Sequence, residues 1–97
     1  RDSNMLEIYS ERAEIIDGMN VLDVGCGWGS LSLFLAQKYP KSEITGVSNS
    51  SSQKIFIDSV ASKRNISNLK IITRDINDFR TEEKYDRILS IEMFEHI

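Results

Sequence analysis

The ten residues VLDVGCGWGS, at positions 21–30, decide the fold of this 97-residue chain. The run from Val21 to Val24 is short and apolar, as expected for a strand that is buried on both faces of a parallel sheet. Glycines at positions 25, 27 and 29 end the strand, and residues 30–39 then show helical spacing of apolar side chains. Glycines at such a junction permit positive φ and remove Cβ atoms, so that backbone amides can approach a ligand closely.

Strands and helices alternate along the rest of the chain. The spacing predicts a first helix over residues 4–16, capped by Asn4, with Ile8 and Ile16 on its apolar face. Strands are predicted at 20–24, 43–47, 69–73 and 85–91, and further helices at 30–39 and from Ser50 to the polar break at 65–68. Such alternation favours an α/β fold with a parallel sheet and flanking helices.

Composition and charge exclude several classes of protein. The net charge of −3, without clusters of Lys or Arg, argues against nucleic acid as a partner. No apolar run approaches the ~18 residues of a membrane span. One cysteine, Cys26, can form neither an internal disulfide nor a metal site by itself. We therefore expect no metal and, because a lone thiol suits a reducing compartment, a cytoplasmic location.

The glycine-rich segment resembles the first motif of class I S-adenosylmethionine-dependent methyltransferases. The G-C-G-W-G core is similar, more narrowly, to the branch that contains coclaurine N-methyltransferase and cyclopropane fatty acid synthases. The resemblance implies a Rossmann-like sheet of strand order 3-2-1-4. It also implies that Gly25, Gly27 and Gly29 cradle the methionine part of S-adenosylmethionine, while Asp23 fixes the loop and the amino group of the cofactor. The alternative is that Asp23 only caps the turn and the glycines only tighten it.

The ends of the second and third predicted strands carry further candidates for cofactor binding. The second strand lacks the carboxylate that most nucleotide-binding α/β proteins place there for the ribose. The resemblance assigns that role to Ser48, Asn49 and Gln53, although Gln53 could instead form a capping box with Ser50. The resemblance also implies that Asp75 and Ile76, after the third strand, bind the adenine. The alternative is that Asp75 is an ordinary surface residue.

The stretch E-M-F-E-H at positions 92–96 gathers two carboxylates and the only histidine of the chain. In the N-methyltransferases that it resembles, these groups lie beside the acceptor amine, which must lose a proton to attack. The resemblance therefore implies catalytic roles for Glu92, Glu95 and His96. In cyclopropane synthases a small residue is common in place of Glu92, and the glutamate at position 95 helps to hold bicarbonate. The alternative is that the two glutamates only begin a solvated helix and the histidine is packed.

We expect residues 1–97 to be the cofactor-binding part of a methyltransferase domain, truncated at its C-terminus, and a weak or inactive catalyst alone. The expected partner is a small-molecule acceptor, an amine rather than a lipid. Two alternative functions are a non-catalytic binding module and an NAD-dependent oxidoreductase. The oxidoreductase is disfavoured because the glycine spacing differs from G-x-G-x-x-G and no acid follows the second strand. The sequence does not indicate an oligomeric state.

Overall fold

The computed structural model describes residues 2–75 and 84–89 of the chain. Its elements alternate as the sequence predicts. They are α1 (Asp2–Arg12), β1 (Asn20–Val24), α2 (Ser30–Lys38), β2 (Glu43–Ser48), α3 (Ser51–Lys63), β3 (Leu69–Thr73) and β4 (Arg87–Leu89). No helix in these two ranges is both long enough and apolar enough to cross a membrane.

The four described strands form one parallel sheet in the order β3-β2-β1-β4. The predicted order 3-2-1-4 is therefore confirmed. In the register, Asp23 of β1 lies between Gly46 of β2 and Leu89 of β4. Because all the strands run in one direction, their carboxyl ends meet at the same edge of the sheet, which is where ligands bind in open α/β folds.

The core lies between this sheet and the helices that connect its strands. Leu31 and Leu35 of α2 are buried in a cluster with Val21 and Ile44 of the two central strands. Ile57 of α3 is fully buried in a second cluster, beneath the glycine-rich loop. Each such side chain stabilises the fold by about 1.5–3 kcal/mol. The core thus fixes α2 and α3 against the sheet and holds both ends of the loop.

The first helix differs from its predicted bounds of 4–16. It begins at Asp2, so Asn4 lies inside it, and it ends at Arg12. Glu14 adopts a left-handed φ of 57°, and the amide of Ile15 bonds to the carbonyl of Ser10 at 3.4 Å, as in a Schellman helix ending. This ending buries Ile15 in the core. The predicted apolar positions are exposed instead, Ile8 at 47% and Ile16 at 64%.

A single side chain, Asn68, ties the end of α2 to the start of β3. Its Nδ2 lies 2.8–3.0 Å from three backbone carbonyl oxygens, those of Ala36, Tyr39 and Ser42. Those carbonyls belong to the last turn of α2 and the bend that follows it. Helix ends leave carbonyls without intrahelical donors, and the amide group supplies such donors.

Candidate cofactor-binding site

Backbone hydrogen bonds draw the ends of the three neighbouring strands together. The amides of Gly25 and Cys26 both donate to the carbonyl of Val47, at 3.0 and 2.9 Å. The amide of Arg74 donates to the carbonyl of Ser48 at 2.8 Å. The loop after β1, the end of β2 and the end of β3 therefore form one continuous edge. The predicted cofactor residues that the structure describes lie on or beside this edge.

The glycine-rich loop, residues 25–29, needs glycine at two positions for different reasons. Gly29 has a φ of +91°, and a Cβ there would lie 2.7 Å from Cγ1 of the buried Ile57. Gly27 has a φ of +58°, but no atom of the described residues lies within 4 Å of the place its Cβ would occupy. Gly29 is therefore required by the fold, whereas the space over Gly27 is open to a ligand.

Asp23 is a carboxylate with no exposed surface, placed at the base of the loop. Its Oδ2 accepts a hydrogen bond of 2.7 Å from the hydroxyl of Ser32 in the first turn of α2. Its Oδ1 has no hydrogen-bond partner among the residues that the structure describes. Burial raises the pKa of Asp23 to about 6, although the Ser32 hydrogen bond lowers it. Asp23 therefore bonds to a side chain of α2, and its second oxygen is an acceptor to which a cation would bind well.

Gly46 and Cys26 form the wall behind this carboxylate. A Cβ on Gly46 would lie 3.0 Å from the Ser32 oxygen and 3.2 Å from the Cβ of Cys26, so glycine leaves room for the Asp23–Ser32 pair. Burial, followed by the charge of Asp23, raises the pKa of the Cys26 thiol to about 12. Cys26 is thus a packing residue of the second core cluster. Sequence reasoning missed Ser32 and Gly46, and a serine among the leucines of α2 was the available signal.

Ser48 and Gln53 meet at the end of β2. The Ser48 hydroxyl lies 2.8 Å from Gln53 Oε1 and accepts a hydrogen bond of 3.1 Å from the amide of Ser50. The capping box considered for Ser50 and Gln53 is wrong, because the Ser50 hydroxyl lies 2.7 Å from that of Ser52 and bonds to no amide of the first helical turn. The buried Ser48 hydroxyl requires an acceptor, and it lies near two, Gln53 Oε1 and the carbonyl oxygen of Ser50 at 2.9 Å. Contact of this pair with a ribose stays a prediction.

The remaining predicted residues divide into two groups. Asn49 and Asp75 are exposed beside the sheet edge, directly after β2 and two residues after β3. Four others lie outside the described residues: Ile76, Glu92, Glu95 and His96. Their roles stay predictions. Among the residues described, no group of three His, Cys, Asp or Glu side chains could hold a metal ion.

Trp28 projects from the loop toward α3. Its ring makes an edge-to-face contact with that of Phe56, with centroids 5.4 Å apart, and 56% of the residue is exposed. The two rings line an open groove of about 490 Å³ that also includes Phe34 and Arg64. Trp28 therefore lies on the outer surface of the helices rather than in the core.

These features fit the methionine end of S-adenosylmethionine, a zwitterion with an ammonium and a carboxylate. The unpaired Oδ1 of Asp23 suits the ammonium. The first amides of α2, which follow Gly29 without a side-chain cap from the described residues, suit the carboxylate. The open face of Gly27 leaves space for the ligand between these groups. The described residues thus offer complementary partners for both charges.

Comparison with known proteins gives consistent matches. A family profile described as mycolic acid cyclopropane synthetase matches residues 2–97. The chain is 53% identical over 93 residues to an (S)-coclaurine N-methyltransferase of Thalictrum flavum subsp. glaucum, covering 96% of this chain and 26% of that protein. It is 36% identical over 92 residues to a cyclopropane-fatty-acyl-phospholipid synthase of Escherichia coli (strain K12), covering 95% of this chain and 22% of that protein.

Solved structures agree with these sequence matches. A crystal structure of coclaurine N-methyltransferase bound to N-methylheliamine and SAH superposes with a TM-score of 0.88 and 47% sequence identity. The match covers 90% of this chain and 26% of that one. The chain therefore spans about a quarter of the length of the relatives that it matches.

Proposed function

The chain belongs to the mycolic acid cyclopropane synthetase family, and on this premise we propose that it binds S-adenosylmethionine within a methyltransferase whose acceptor is a small-molecule amine. The observation that carries the proposal is the pairing of a buried, half-unpaired Asp23 with an open glycine-rich loop at one sheet edge. The likeness to named N-methyltransferases, including one solved with SAH, supports the choice of cofactor and acceptor.

Each part of the edge has a distinct task in this proposal. Asp23 receives the ammonium of the cofactor, and the face of Gly27 lies against its methionine chain. Ser48, Asn49 and Gln53 orient the ribose, and Asp75 and Ile76 hold the adenine. The bound cofactor supplies an activated methyl group on a sulfonium. The protein's contribution is therefore mainly to bind and to orient the reactants.

The acceptor end of the site falls to Glu92, Glu95 and His96. A protonated amine has no lone pair with which to attack, so a carboxylate or imidazole must accept its proton. Three such groups within five residues, shortly after β4, which pairs with the central strand β1, support an amine acceptor. The chain alone spans about a quarter of its relatives, and we propose that it has little or no activity without the rest of the enzyme.

A second candidate function is methylene transfer to lipid acyl chains. The family description and the 36% identity to a cyclopropane-fatty-acyl-phospholipid synthase favour it. The amine acceptor is preferred because identity to the N-methyltransferase is higher, at 53%, and because a glutamate stands at position 92.

Binding of S-adenosylhomocysteine, measured by calorimetry, tests the cofactor. Wild type should bind, and Gly27→Ala should bind about tenfold more weakly or worse, because a methyl group would occupy the ligand's space. Gly18→Ala is the matched control: Gly18 also has positive φ, +107°, and open space around it, but it lies in the turn before β1. Both variants should lose about 1–2 kcal/mol of folding stability. Absence of wild-type binding, or equal affinity in both variants, would refute the proposal.

The acceptor is tested in the full-length enzyme by methyl-transfer assays with amines and with phospholipids. Glu92→Gln and His96→Ala should lower kcat for an amine while leaving S-adenosylhomocysteine affinity unchanged. A requirement for bicarbonate, with transfer to lipid alone, would replace the amine acceptor by the second candidate. Binding without transfer to either class would favour a non-catalytic module.

Cytoplasmic location is also part of the proposal. It is supported by Cys26, a buried thiol without a disulfide partner. Imaging of the full-length protein with a C-terminal fluorescent tag tests it, and signal confined to a secretory compartment would contradict it.

A further inference from the structure

The glycine-rich loop is bridged at its base by one buried hydrogen bond. The hydroxyl of Ser32 and Oδ2 of Asp23 are 2.7 Å apart, and neither residue has exposed surface. Asp23 precedes the loop in β1, and Ser32 follows it in the first turn of α2. The bond therefore joins the two elements that carry the ends of the loop.

We propose that Ser32 is a positioning residue for cofactor binding, which holds Asp23 so that Oδ1 stays directed to the amino group of the cofactor. This inference rests on the proposed function. Asp23 has two oxygens and one described partner, and Ser32 occupies only Oδ2. Without the hydroxyl the carboxyl group could rotate, and either oxygen would be free to turn away from the ligand.

The surroundings of Asp23 give Ser32 a second effect, on protonation. The Ser32 hydroxyl donates to the carboxyl group, and the Cys26 thiol lies close enough for the charge of Asp23 to raise its pKa. The residues beside Asp23 on the neighbouring strands, Gly46 and Leu89, carry no charge. A donor to the carboxylate favours its ionised form, so the Ser32 bond lowers a pKa that burial has raised. Only the ionised form attracts an ammonium strongly.

The role of Ser32 therefore predicts a change in the pH dependence of binding and not only in stability. In Ser32→Ala, the affinity for S-adenosylhomocysteine should fall. The midpoint of the pH range over which this affinity rises should increase by about one pH unit. Fluorescence of Trp28, the only tryptophan of the chain and part of the loop, provides the readout from pH 5 to 8.

Ser42→Ala is the matched control. Ser42 is also a buried serine, and its hydroxyl accepts a hydrogen bond of 2.8 Å from the amide of Gly18, in a turn apart from the loop. This variant should lose stability but keep the wild-type pH profile of binding. In the double variant Asp23→Asn with Ser32→Ala, the serine change should no longer alter the profile, because no carboxyl remains to titrate.

Separate outcomes test the two proposals. Binding by wild type, with a Ser32→Ala profile that coincides with it, would overturn the role of Ser32 and leave the proposed function standing. Absence of wild-type binding at every pH would overturn the proposed function. If Ser32→Ala does not fold, Ser32→Cys takes its place, because a thiol is a weaker donor than a hydroxyl. It should likewise weaken S-adenosylhomocysteine binding and move the pH profile of binding upward.

Discussion

Replacing Asp23 by Asn should change how the stability of the protein depends on pH. Asp23 is fully buried, and burial raises its pKa from 3.8 to about 6. Because the folded-state pKa lies above the unfolded value, the folded protein holds an extra proton between pH 3.8 and 6. The contribution of Asp23 to the free energy of unfolding of wild type therefore falls as pH rises through this window. Asn carries no titrating proton and still offers an oxygen to Ser32.

The size of the effect follows from the same values. One pKa unit corresponds to 1.36 kcal/mol, so a rise from 3.8 to about 6 penalises the ionised form by about 3 kcal/mol. At pH 7 this full penalty applies, and below pH 3.8 almost none of it does. The unfolding free energy of Asp23→Asn minus that of wild type should thus be about 3 kcal/mol larger at pH 7 than below pH 3.8. A constant offset accompanies this change, since the new NH₂ group also needs a partner.

Urea unfolding followed by circular dichroism, at half-unit steps from pH 3 to 7.5, measures this difference. Other carboxyl groups titrate in both proteins, and subtraction removes their contribution. An NMR titration of the Asp23 carboxyl carbon in wild type is an independent check, with a midpoint expected near pH 6. Parallel stability curves for the two proteins, or a midpoint near 4, would refute the argument that burial dominates at Asp23.

Three further substitutions or treatments test other parts of the structure. Gly29→Ala should lower the unfolding free energy by about 3 kcal/mol, through positive φ and a contact of 2.7 Å with Ile57, and unchanged urea unfolding would contradict this. Asn68→Ala removes two N–H donors that are shared among three carbonyl oxygens, and it should lower the unfolding free energy by about 2 kcal/mol in the same assay. A loss below about 0.5 kcal/mol would show that the Asn68 side chain does not hold the end of α2. The thiol of Cys26, with its pKa raised to about 12, should resist iodoacetamide at pH 8 until urea unfolds the chain, as followed by mass spectrometry. Rapid alkylation of the folded protein would show that the thiol is accessible.

Local sequence was sufficient to predict β1, β2, β3 and the helices around the loop, whereas β4, predicted from residue 85, begins at Arg87. The apolar run at 21–24 and the β-branched stretch at 43–47 became the two central strands, with β2 extending one residue further, to Ser48. The helix predicted from Ser50 is α3, and its buried residues, Ile57 and Ala61, have the spacing of one helical face. These features depend on periodicity within one element, which a sequence displays directly.

Features that depend on contacts between elements were not predictable in this way. Ile16 fits the helical period of α1 better than Ile15, yet a left-handed Glu14 ends the helix early and places Ile15 in the core. Helical spacing does not reveal that the chain turns there to reach β1. Likewise Ser50 and Gln53 have the spacing of a capping box, but the buried Ser48 hydroxyl competes for Gln53. A preference within one helix was overridden by a polar group that belongs to another element.

The buried carboxylate also bears on which kind of ligand the loop can accept. A glycine-rich loop before a helix is suited to a pyrophosphate, because helix amides favour anions. Here Asp23 lies at the base of that loop and bonds to the first turn of α2, so ionised Asp23 would repel a phosphate brought to the same amides. A zwitterion avoids this conflict, since its ammonium can meet Oδ1 while its carboxylate faces the helix. The electrostatics of the site thus favour an amino-acid group over a dinucleotide, independently of the glycine spacing.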